Sequence, residues 1–249
     1  MYLFLKRIGK TLLPNSWMIR NESLIRKSLF FLYKGKEKGC NVCHKSFKQF
    51  ITLPSQDQKC PYCGSIDRNR RVWHVLEKDH LHQKKKILHF SPSRPIYRAL
   101  KKSEAHYTST DFEGEFLADK QLDITRISEA NQSFDLIICY HVLEHITEDK
   151  KALAELYRIL KNDGQCLVQT PFKKGELYED FSITTRHERL QHFGQEDHVR
   201  IYSAEALKQR AEAVGFLVAQ SDFKEETDNY YGFKEEETIL ILSKPSLGQ

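Results

Sequence analysis

Residues 133–171 read "SFDLIICYHVLEHITEDKKALAELYRILKNDGQCLVQTP". The apolar run FDLIICY is typical of a strand that is buried on both faces of a sheet. The segment TEDKKALAELYRILKNDG predicts an α-helix with Thr147 as its N-cap, acidic residues in its first turn and Gly164 as its stop signal. QCLVQTP predicts a second strand. The stretch therefore predicts a strand–helix–strand unit, which normally joins two parallel strands.

The same alternation extends on both sides of this unit. Upstream, KKILHF predicts a strand, SRPIYRALKKS a helix, AHYTSTD a second strand and KQLDIT a short third one. Downstream, SAEALKQRAEAVG predicts a helix that is capped by Ser203 and closed by Gly215. FLVAQSDF and ETILILSK predict the last two strands. We therefore expect an α/β fold over residues 84–245, a Rossmann-like, mostly parallel sheet with helices on both faces.

The turn after the first strand contains no glycine. It lies within "ILHFSPSRPIYRAL", residues 87–100, and two prolines stiffen it. A dinucleotide needs glycines there, because backbone N–H groups must approach its pyrophosphate. Asp111 ends the second strand about 20 residues after this turn, where a carboxylate suits the two hydroxyls of a ribose. The pattern favours a nucleoside cofactor that has no phosphate.

Four cysteines form two pairs, Cys40-x2-Cys43 and Cys60-x2-Cys63, separated by sixteen residues. Two such tight turns can point four thiolates at one ion, so the spacing predicts a structural Zn²⁺ site in a small zinc ribbon over residues 39–66. A redox pair or disulfides are the weaker alternatives. Cys139 and Cys166 lie in apolar runs and are expected to be buried thiols.

A connecting helix is predicted over residues 67–83, with Val72, Val75 and Leu76 on its buried side. Arg68, Arg70 and Arg71 in this helix have two interpretations. They could grip nucleic-acid phosphates beside the ribbon, or they could form ion pairs within the fold. We favour the second interpretation.

Residues 1–38 form a basic and amphipathic N-terminal segment in which Pro14 and Asn15 mark a break between helices. Residues 1–50 contain eleven Lys and Arg against two Glu, a local net charge of +9 within a chain whose net charge is +5. Neither a signal peptide nor a membrane span is expected, which predicts a cytoplasmic protein. The segment would either pack on the main domain or make peripheral contact with the inner membrane face or a biosynthetic complex.

The order of "YTSTD", "LDIT" and "FDLIICYHVLEHITEDKKALAELYRILKNDGQCLVQTPF" resembles class I S-adenosylmethionine-dependent methyltransferases of the type 11 kind. The paired cysteines ahead of it and "GQEDHVRIYSAEAL" after it resemble a bacterial subgroup with an N-terminal zinc module. The resemblance implies S-adenosyl-L-methionine as cofactor and assigns its contacts. The methionine part of the cofactor would lie along the turn that contains His89, Phe90, Ser91 and Ser93. Asp111 would bind the ribose, and Asp123 and Ile124 would flank the adenine. Tyr140 and His141 would lie beside the sulfonium and the methyl acceptor.

A candidate general base and a loop that would bind the methyl acceptor complete the predicted site. His141 is the candidate general base, because a neutral imidazole accepts a proton near pH 7. Glu144 is expected to orient or cap, and His145 to pack a helix. The polar segment "TTRHERLQHFGQEDHVRIYS", residues 184–203, predicts a substrate lid from which His198 and Arg200 would contact the acceptor. Because it has no H-x3-H pair, a second metal is not expected there.

Three functions fit these observations. The first is methyl transfer to a small molecule or a glycan, for which a surface-polysaccharide pathway would suit the basic start of the chain. The second is RNA methylation with the ribbon as the nucleic-acid grip, which is less favoured because "CYHV" follows the fourth strand in place of an Asn/Asp-Pro-Pro-aromatic turn. The third is a non-catalytic binding protein on a degenerate methyltransferase fold.

Overall fold

The computed structural model describes residues 22, 24–28, 30–114, 116–225 and 228–245. The chain forms two compact units. The first unit contains the described residues up to 79 together with the segment around 224–235. The second contains residues 80–223 and the chain from 236 onwards. Segment 224–235, which the sequence assigned to the α/β domain, therefore belongs with the cysteine-containing unit.

The first unit is built from short antiparallel pairs and one helix. Strand β1 (Lys34–Cys40) pairs with β2 (Lys45–Phe47), and β3 (Ile51–Thr52) pairs with β4 (Gln58–Lys59). Each pair ends next to a CxxC turn, as expected for a ribbon. Helix α1 (Asp67–Asp79) follows and buries Val72, Val75 and Leu76 as predicted. It ends four residues before the predicted end of the connecting helix.

The N-terminal segment overlaps the ribbon. Residues 24–28 are helical, a 3-10 turn covers Phe30–Tyr33, and β1 begins at Lys34. Residues 34–38 are therefore part of the ribbon and not of an amphipathic helix. The predicted break at Pro14 and Asn15 lies outside the described residues. Among the described helices, none combines the length and apolar character that a membrane span requires.

The second unit contains a six-stranded sheet with the spatial order β11-β12-β8-β7-β5-β6. Strands β6, β5, β7 and β8 are parallel, and β12 runs antiparallel to β8. The chain passes from β5 outward to β6 and then returns to β7 on the other side of β5, which makes the β5/β7 boundary the topological switch point. The strands are β5 Lys86–Phe90, β6 His106–Thr110, β7 Phe134–Tyr140, β8 Leu160–Gln169, β11 Leu217–Lys224 and β12 Glu236–Ser243.

Four helices and two short strands complete this unit. They are α2 (Arg94–Leu100), α3 (Asp149–Ile159), β9 (Tyr178–Glu179), α4 (Arg186–Phe193), β10 (Arg200–Ile201) and α5 (Ala204–Val214). The caps predicted for α5 are present: the Ser203 side chain accepts from the Ala206 N–H, and Gly215 has a φ of 110°. The segment expected to be a substrate lid, residues 184–203, contains the helix α4 and the short strand β10.

Three local predictions were wrong. KQLDIT forms no strand: Lys120 and Asp123 make only isolated bridges. Thr147 does not cap α3, because the N-cap position is Glu148 and it has no side-chain cap. Gly164 does not stop the helix, since β8 has already begun at Leu160. A Cβ on Gly164 would stand 2.9 Å from Leu160 Cδ1, so close packing inside the strand explains this glycine.

The core lies on both faces of the sheet. Alternate residues of the central strands pack against the buried sides of α3 and α5, among them Leu88, Ile137 and Val168. The intervening residues, such as Ile87 and Ile138, are also fully buried. Burial on both faces explains why β7 reads as an unbroken apolar run. Cys139 and Cys166 are buried free thiols of this core, as predicted.

One buried histidine makes stability depend on pH. Burial lowers the pKa of His89 to about 3. In the unfolded chain the same imidazole has a pKa of about 6.5. Between about pH 3 and pH 6.5 only the unfolded state therefore binds a proton at this residue. The effect of this group on stability is therefore absent above about pH 6.5, and it lowers stability as the pH falls, by up to about 1.4 kcal/mol per pH unit. We expect His89→Gln to reduce this slope, as measured by urea unfolding between pH 7 and pH 5.

The matched control is His106→Gln, because His106 lies at the start of β6 and is exposed. This variant should keep the acid sensitivity of the wild type. An unchanged slope in His89→Gln would show that other groups cause the acid sensitivity.

Candidate functional site

The carboxyl ends of four parallel strands meet at one edge of the sheet. Phe90 at the end of β5 is in register with Thr110 of β6 and with Cys139 of β7. Tyr140 at the end of β7 is in register with Gln169 of β8. The residues that follow these positions are therefore neighbours in space, as expected for a ligand site at a switch point.

The turn after β5 brings Ser91 and Asp111 together. Ser91 has a φ of 44°, a left-handed backbone that favours glycine but is held here in a serine. Its N–H donates to the Thr110 carbonyl at 2.7 Å, and its Oγ donates to Asp111 Oδ1 at 2.8 Å. The Phe116 N–H donates to Asp111 Oδ2 at 3.2 Å. The missing glycine is thus replaced by a serine whose hydroxyl orients the carboxylate of Asp111.

Three residues predicted to contact a cofactor are packed in the interior instead. His89 is buried with Nδ1 3.3 Å from the Tyr107 hydroxyl, and Phe90 and Ile124 belong to the hydrophobic core. His89 and Phe90 are consecutive residues of β5 and face opposite sides of the sheet, and both sides are covered. Ile124 lies outside the strands and is also buried. Their side chains are therefore structural.

Asp123 lies at the end of the region that was expected to be a third strand. Its carboxylate accepts from both the N–H and the hydroxyl of Thr125 at 2.8 Å. These two hydrogen bonds lower the pKa of Asp123. The residue is half-buried in a local turn, and the lowered pKa keeps its carboxylate ionised there.

The turn after β7 repeats the geometry of the turn after β5. His141 has a φ of 55°, and its N–H donates to the Gln169 carbonyl at 2.8 Å. Its Nδ1 lies 3.2 Å from Glu144 Oε1. Two adjacent turns therefore hold a non-glycine residue in a strained backbone, and such residues cluster at functional sites. Tyr140, the last residue of β7, is half-buried beside them.

Glu144 is the buried acid of the site. Its side chain is only 1% exposed. It lines a cavity of about 250 Å³. His198, which is also buried, lines the same cavity, and burial lowers the pKa of its imidazole. Thr170, Lys173 and Gln195 add further polar groups to the lining of this cavity. Both residues predicted to contact an acceptor, His198 and Arg200, therefore line a cavity that also holds the predicted orienting acid.

Arg200 lines this cavity, but its guanidinium is already bound within the protein. Its guanidinium is fully buried and donates to the carbonyls of Leu143, Ile146 and Thr147. It also forms ion pairs with Glu179 at 3.0 Å and Asp149 at 3.4 Å. With Nε, Nη1 and Nη2 all bound inside the protein, Arg200 holds the turn that carries Glu144 and His145.

Buried oxygens at the sheet edge fit a polar ligand. Among the residues the structure describes, four side-chain oxygens near the strand ends are buried without a hydrogen-bond partner: Ser93 Oγ, Thr110 Oγ1, Gln169 Oε1 and Thr170 Oγ1. A buried polar atom without a partner costs about 1–3 kcal/mol, so a cluster of them indicates that a ligand or water completes the bonding. The residues present therefore fit a molecule with many hydrogen-bonding groups.

Some site features were not found from the sequence. Phe112, Phe116 and Leu117 expose large apolar side chains in the loop that follows Asp111. Thr170 and Lys173 reach the cavity from the end of β8. The apolar residues were hidden in a stretch read only as a connection between strands. The available signal was the pair of phenylalanines, Phe112 and Phe116, that closely follows the predicted ribose carboxylate of Asp111 in the sequence.

The cysteine pairs of the first unit converge. One sulfur from each of Cys40, Cys43, Cys60 and Cys63 lies within 4.8 Å of the others. Cys40 and Cys63 are 3.7 Å apart, and Cys43 and Cys60 are 3.8 Å apart. A tetrahedral zinc ion with sulfurs about 2.3 Å away holds them about 3.8 Å apart. The donor set and spacing therefore fit zinc, and the distances are too long for disulfides.

The arginines of α1 stabilise the first unit. Arg70 is fully buried and donates to the carbonyls of Ser65, Tyr231 and Gly232. Arg71 is 3% exposed and pairs with Glu225. Arg70 and Arg71 are therefore bound within the fold, as the favoured interpretation expected, and their charged groups are not accessible.

Comparison with known proteins identifies the architecture. A family model described as "Methyltransferase domain" matches residues 56–221. A search of curated protein sequences found no match. A solved S-adenosylmethionine-dependent methyltransferase from Archaeoglobus fulgidus is 15% identical, with a TM-score of 0.50 over 70% of this chain and 93% of that chain.

Two further solved structures share the fold. Phosphoethanolamine N-methyltransferase 2 from Haemonchus contortus, in complex with S-adenosyl-L-methionine, is 13% identical, with a TM-score of 0.51 over 71% of this chain and 52% of that chain. The [4+2]-cyclase SpnF is 16% identical, with a TM-score of 0.50 over 71% of this chain and 81% of that chain. At these identities the likeness shows the fold, and the fold alone carries more than one activity.

The buried network of Arg200 leads to a stability prediction. Replacing Arg200 with methionine leaves Glu179 and Asp149 without one of their cationic partners and removes the Arg200 donor from the carbonyls of Ile146 and Thr147. The Leu143 carbonyl also loses this donor but keeps the Ile146 N–H. We expect Arg200→Met to lower the free energy of unfolding by about 3 kcal/mol, the usual cost of removing one member of a buried ion pair. Urea unfolding at pH 7 measures the change.

Arg186→Met is the control, since Arg186 is exposed at the start of α4. It should change stability by less than about 0.5 kcal/mol. A stable Arg200→Met protein would contradict this structural role of Arg200.

Proposed function

The chain belongs to the methyltransferase-domain family, and on that premise we propose that it methylates a hydroxyl or amine group of a small molecule or a glycan with S-adenosyl-L-methionine. The observation that carries the proposal is the buried carboxylate of Glu144. Its Oε1 lies 3.2 Å from His141 Nδ1 at the switch point, and Glu144 lines a small cavity with both polar and apolar walls. This arrangement suits a small acceptor that must lose a proton.

Residues after β5 and β6 are the proposed cofactor contacts. Ser91 and Ser93 offer hydroxyl groups to the amino-acid end, and Asp111 offers a fixed carboxylate to the ribose. Phe112, Phe116 and Leu117 offer apolar cover for the adenine, beside the ionised Asp123. When bound, the cofactor supplies an electrophilic methyl group on a sulfonium. The fold contributes mainly orientation and exclusion of water, as in other reactions of this kind.

His141 is the proposed general base. With Glu144 Oε1 3.2 Å from Nδ1, the proposed tautomer carries N–H on Nδ1 and the lone pair on Nε2. In this arrangement Nε2 takes the proton of the acceptor group, and the carboxylate of Glu144 stabilises the imidazolium that forms. The strained backbone at His141 keeps the ring at the end of β7, next to the cofactor residues.

The cavity walls limit the acceptor. About 250 Å³ is below the size of most drug-sized ligand pockets, which run from about 300 to 1,000 Å³. Its polar lining from Thr170, Lys173, Gln195 and His198 offers hydrogen bonds suited to hydroxyl-rich molecules. These features support a sugar or another small polar compound.

We also propose that the four cysteines hold a structural zinc ion. All four ligand positions would be filled by protein, so the ion would have no open position for chemistry. Its function would be to stabilise a unit whose strands are only two to seven residues long. Nucleic-acid binding by this unit is less favoured, because Arg70 and Arg71 are buried.

Asp111 provides the test of the cofactor site. We expect the wild type to bind S-adenosyl-L-methionine in isothermal titration calorimetry and Asp111→Asn to bind it at least tenfold more weakly. A hydrogen bond to a charged group is worth about 1.5–3 kcal/mol, which corresponds to this loss. Glu113→Gln, an exposed acid in the same loop, is the matched control and should bind normally.

The outcomes separate the alternatives. A wild type that does not bind the cofactor would contradict the proposed function and favour a non-catalytic binding protein. Normal binding by Asp111→Asn would contradict only the role of Asp111. With labelled cofactor, transfer to sugars or small amines supports the proposal, whereas transfer to RNA alone, with strong salt dependence, would support the RNA alternative.

Zinc is tested by elemental analysis of the purified protein. We expect about one zinc per chain in the wild type, since a set of four cysteine thiolates binds one ion. Cys60→Ser should lose most of this zinc and lower the melting temperature, because metal binding contributes directly to folding. Cys166→Ala, which changes a core cysteine of the second unit, should retain the metal. Full zinc content in Cys60→Ser would contradict the assignment.

A further inference from the structure

Three potential metal ligands meet beside the cavity of about 250 Å³, which two of them, Glu144 and His198, line. One ligand atom from each of Glu144, His145 and His198 lies within 4.8 Å of the other two. Glu144 and His145 belong to the turn after β7, and His198 comes from the segment that leads into β10. We propose that these three residues bind a divalent transition-metal ion, separate from the cysteine cluster.

The burial of Glu144 is the first argument. Its side chain is 1% exposed, and within the described part of the chain neither carboxylate oxygen has a hydrogen-bond partner by geometry. The nearest ion-pair partner, His141 Nδ1, lies at 3.2 Å from Oε1, which leaves Oε2 for another cation. Burying a carboxylate without full compensation costs several kcal/mol, and a bound metal ion is one of the few ways to offset this cost.

The surroundings of His145 are the second argument. Its Nδ1 lies 3.1 Å from Asp197 Oδ2. A histidine that binds a metal through one nitrogen commonly donates the N–H of the other to a carboxylate, which orients the ring and raises its basicity. With Nδ1 placed next to Asp197, Nε2 would be the ligand atom. The ring of His198 packs edge-on against the ring of His145 with centroids 4.7 Å apart.

The nearby charges are compatible with a cation. The buried cation closest to this turn in the described structure, Arg200, is neutralised by Glu179 and Asp149. Lys173 also lines the cavity, but its side chain is exposed and can remain solvated.

The donor set defines the class of metal. Two imidazoles and one carboxylate suit zinc, iron, cobalt, nickel or manganese, whereas magnesium and calcium prefer oxygen ligands alone. Three protein ligands leave at least one position open toward the cavity. If the proposed function holds, an acceptor hydroxyl would occupy that position, and its proton would pass to His141 as the oxygen binds the metal. Binding to the metal lowers the pKa of such a hydroxyl.

Cobalt is the probe that separates this site from the cysteines. The zinc-loaded full-length protein is titrated with Co²⁺ and followed by calorimetry and absorption. Co²⁺ bound to thiolates gives intense charge-transfer absorption, whereas Co²⁺ bound to imidazole and carboxylate gives only weak visible bands. We expect about one Co²⁺ per chain with the weak bands alone, since the three ligands define one site.

Variants identify the ligands. Glu144→Gln, His145→Gln and His198→Gln should each weaken Co²⁺ binding at least tenfold, and Asp197→Asn should weaken it about 10–100-fold through the orientation of His145. His187→Gln, an exposed histidine on α4, is the control and should bind Co²⁺ like the wild type. Because Glu144 and His198 are buried, His145→Gln is the variant least prone to misfold, and thermal melting checks all of them.

Each outcome decides the proposal. Wild-type protein that binds no Co²⁺ beyond the cysteines, or folded variants that bind it as tightly as the wild type, would overturn it. S-adenosyl-L-methionine binding is measured in the same samples. Cofactor binding without the metal site would overturn only this inference, whereas a metal site without cofactor binding would overturn the proposed function and leave the inference standing.

Discussion

The parallel pairing of β5 with β7 is the constraint on which the site depends. It brings the ends of both strands to one edge, so that Ser91 and His141 become neighbours although they are far apart in the chain. Each strand is followed by a residue in a left-handed backbone whose N–H donates to the next strand, at Thr110 and Gln169 respectively. The two turns are thus locked to the sheet by hydrogen bonds, and the side chains they carry have little freedom to move.

A second layer of interactions holds the acceptor side of this edge. Arg200 connects β10 to the turn that carries Glu144 and His145, through carbonyl oxygens and two carboxylates. Asp149 also accepts from Tyr202 and Arg210, so one buried network joins α3, β10 and α5. This network explains how two histidines from distant segments can be held beside one carboxylate. The same network explains why Arg200, a charged residue of the predicted lid, is buried and not exposed to solvent.

The local sequence determined most of the fold. The apolar runs of β7 and β8 and the caps of α5 depend on burial and on hydrogen bonds within a few residues, which a sequence pattern reveals directly. The CxxC spacing likewise identified four cysteines that the structure brings together. Predictions were wrong where a local signal had another cause. Gly164 is required by packing inside β8 and not by a helix end, and KQLDIT has strand-like residues but no strand partner beyond isolated bridges.

One part of the candidate site could be predicted from the sequence, and the other part depends on the tertiary structure. The sequence by itself placed Ser91, Asp111 and His141 at the ends of strands, because these positions follow from the alternation of elements. Only the tertiary structure decided which neighbouring side chains face inward, as His89 and Ile124 do, and which cations are already bound, as Arg200 is. It alone brought His198 to Glu144 and His145. These outcomes depend on contacts between segments distant in the chain, and no local pattern of residues encodes such contacts.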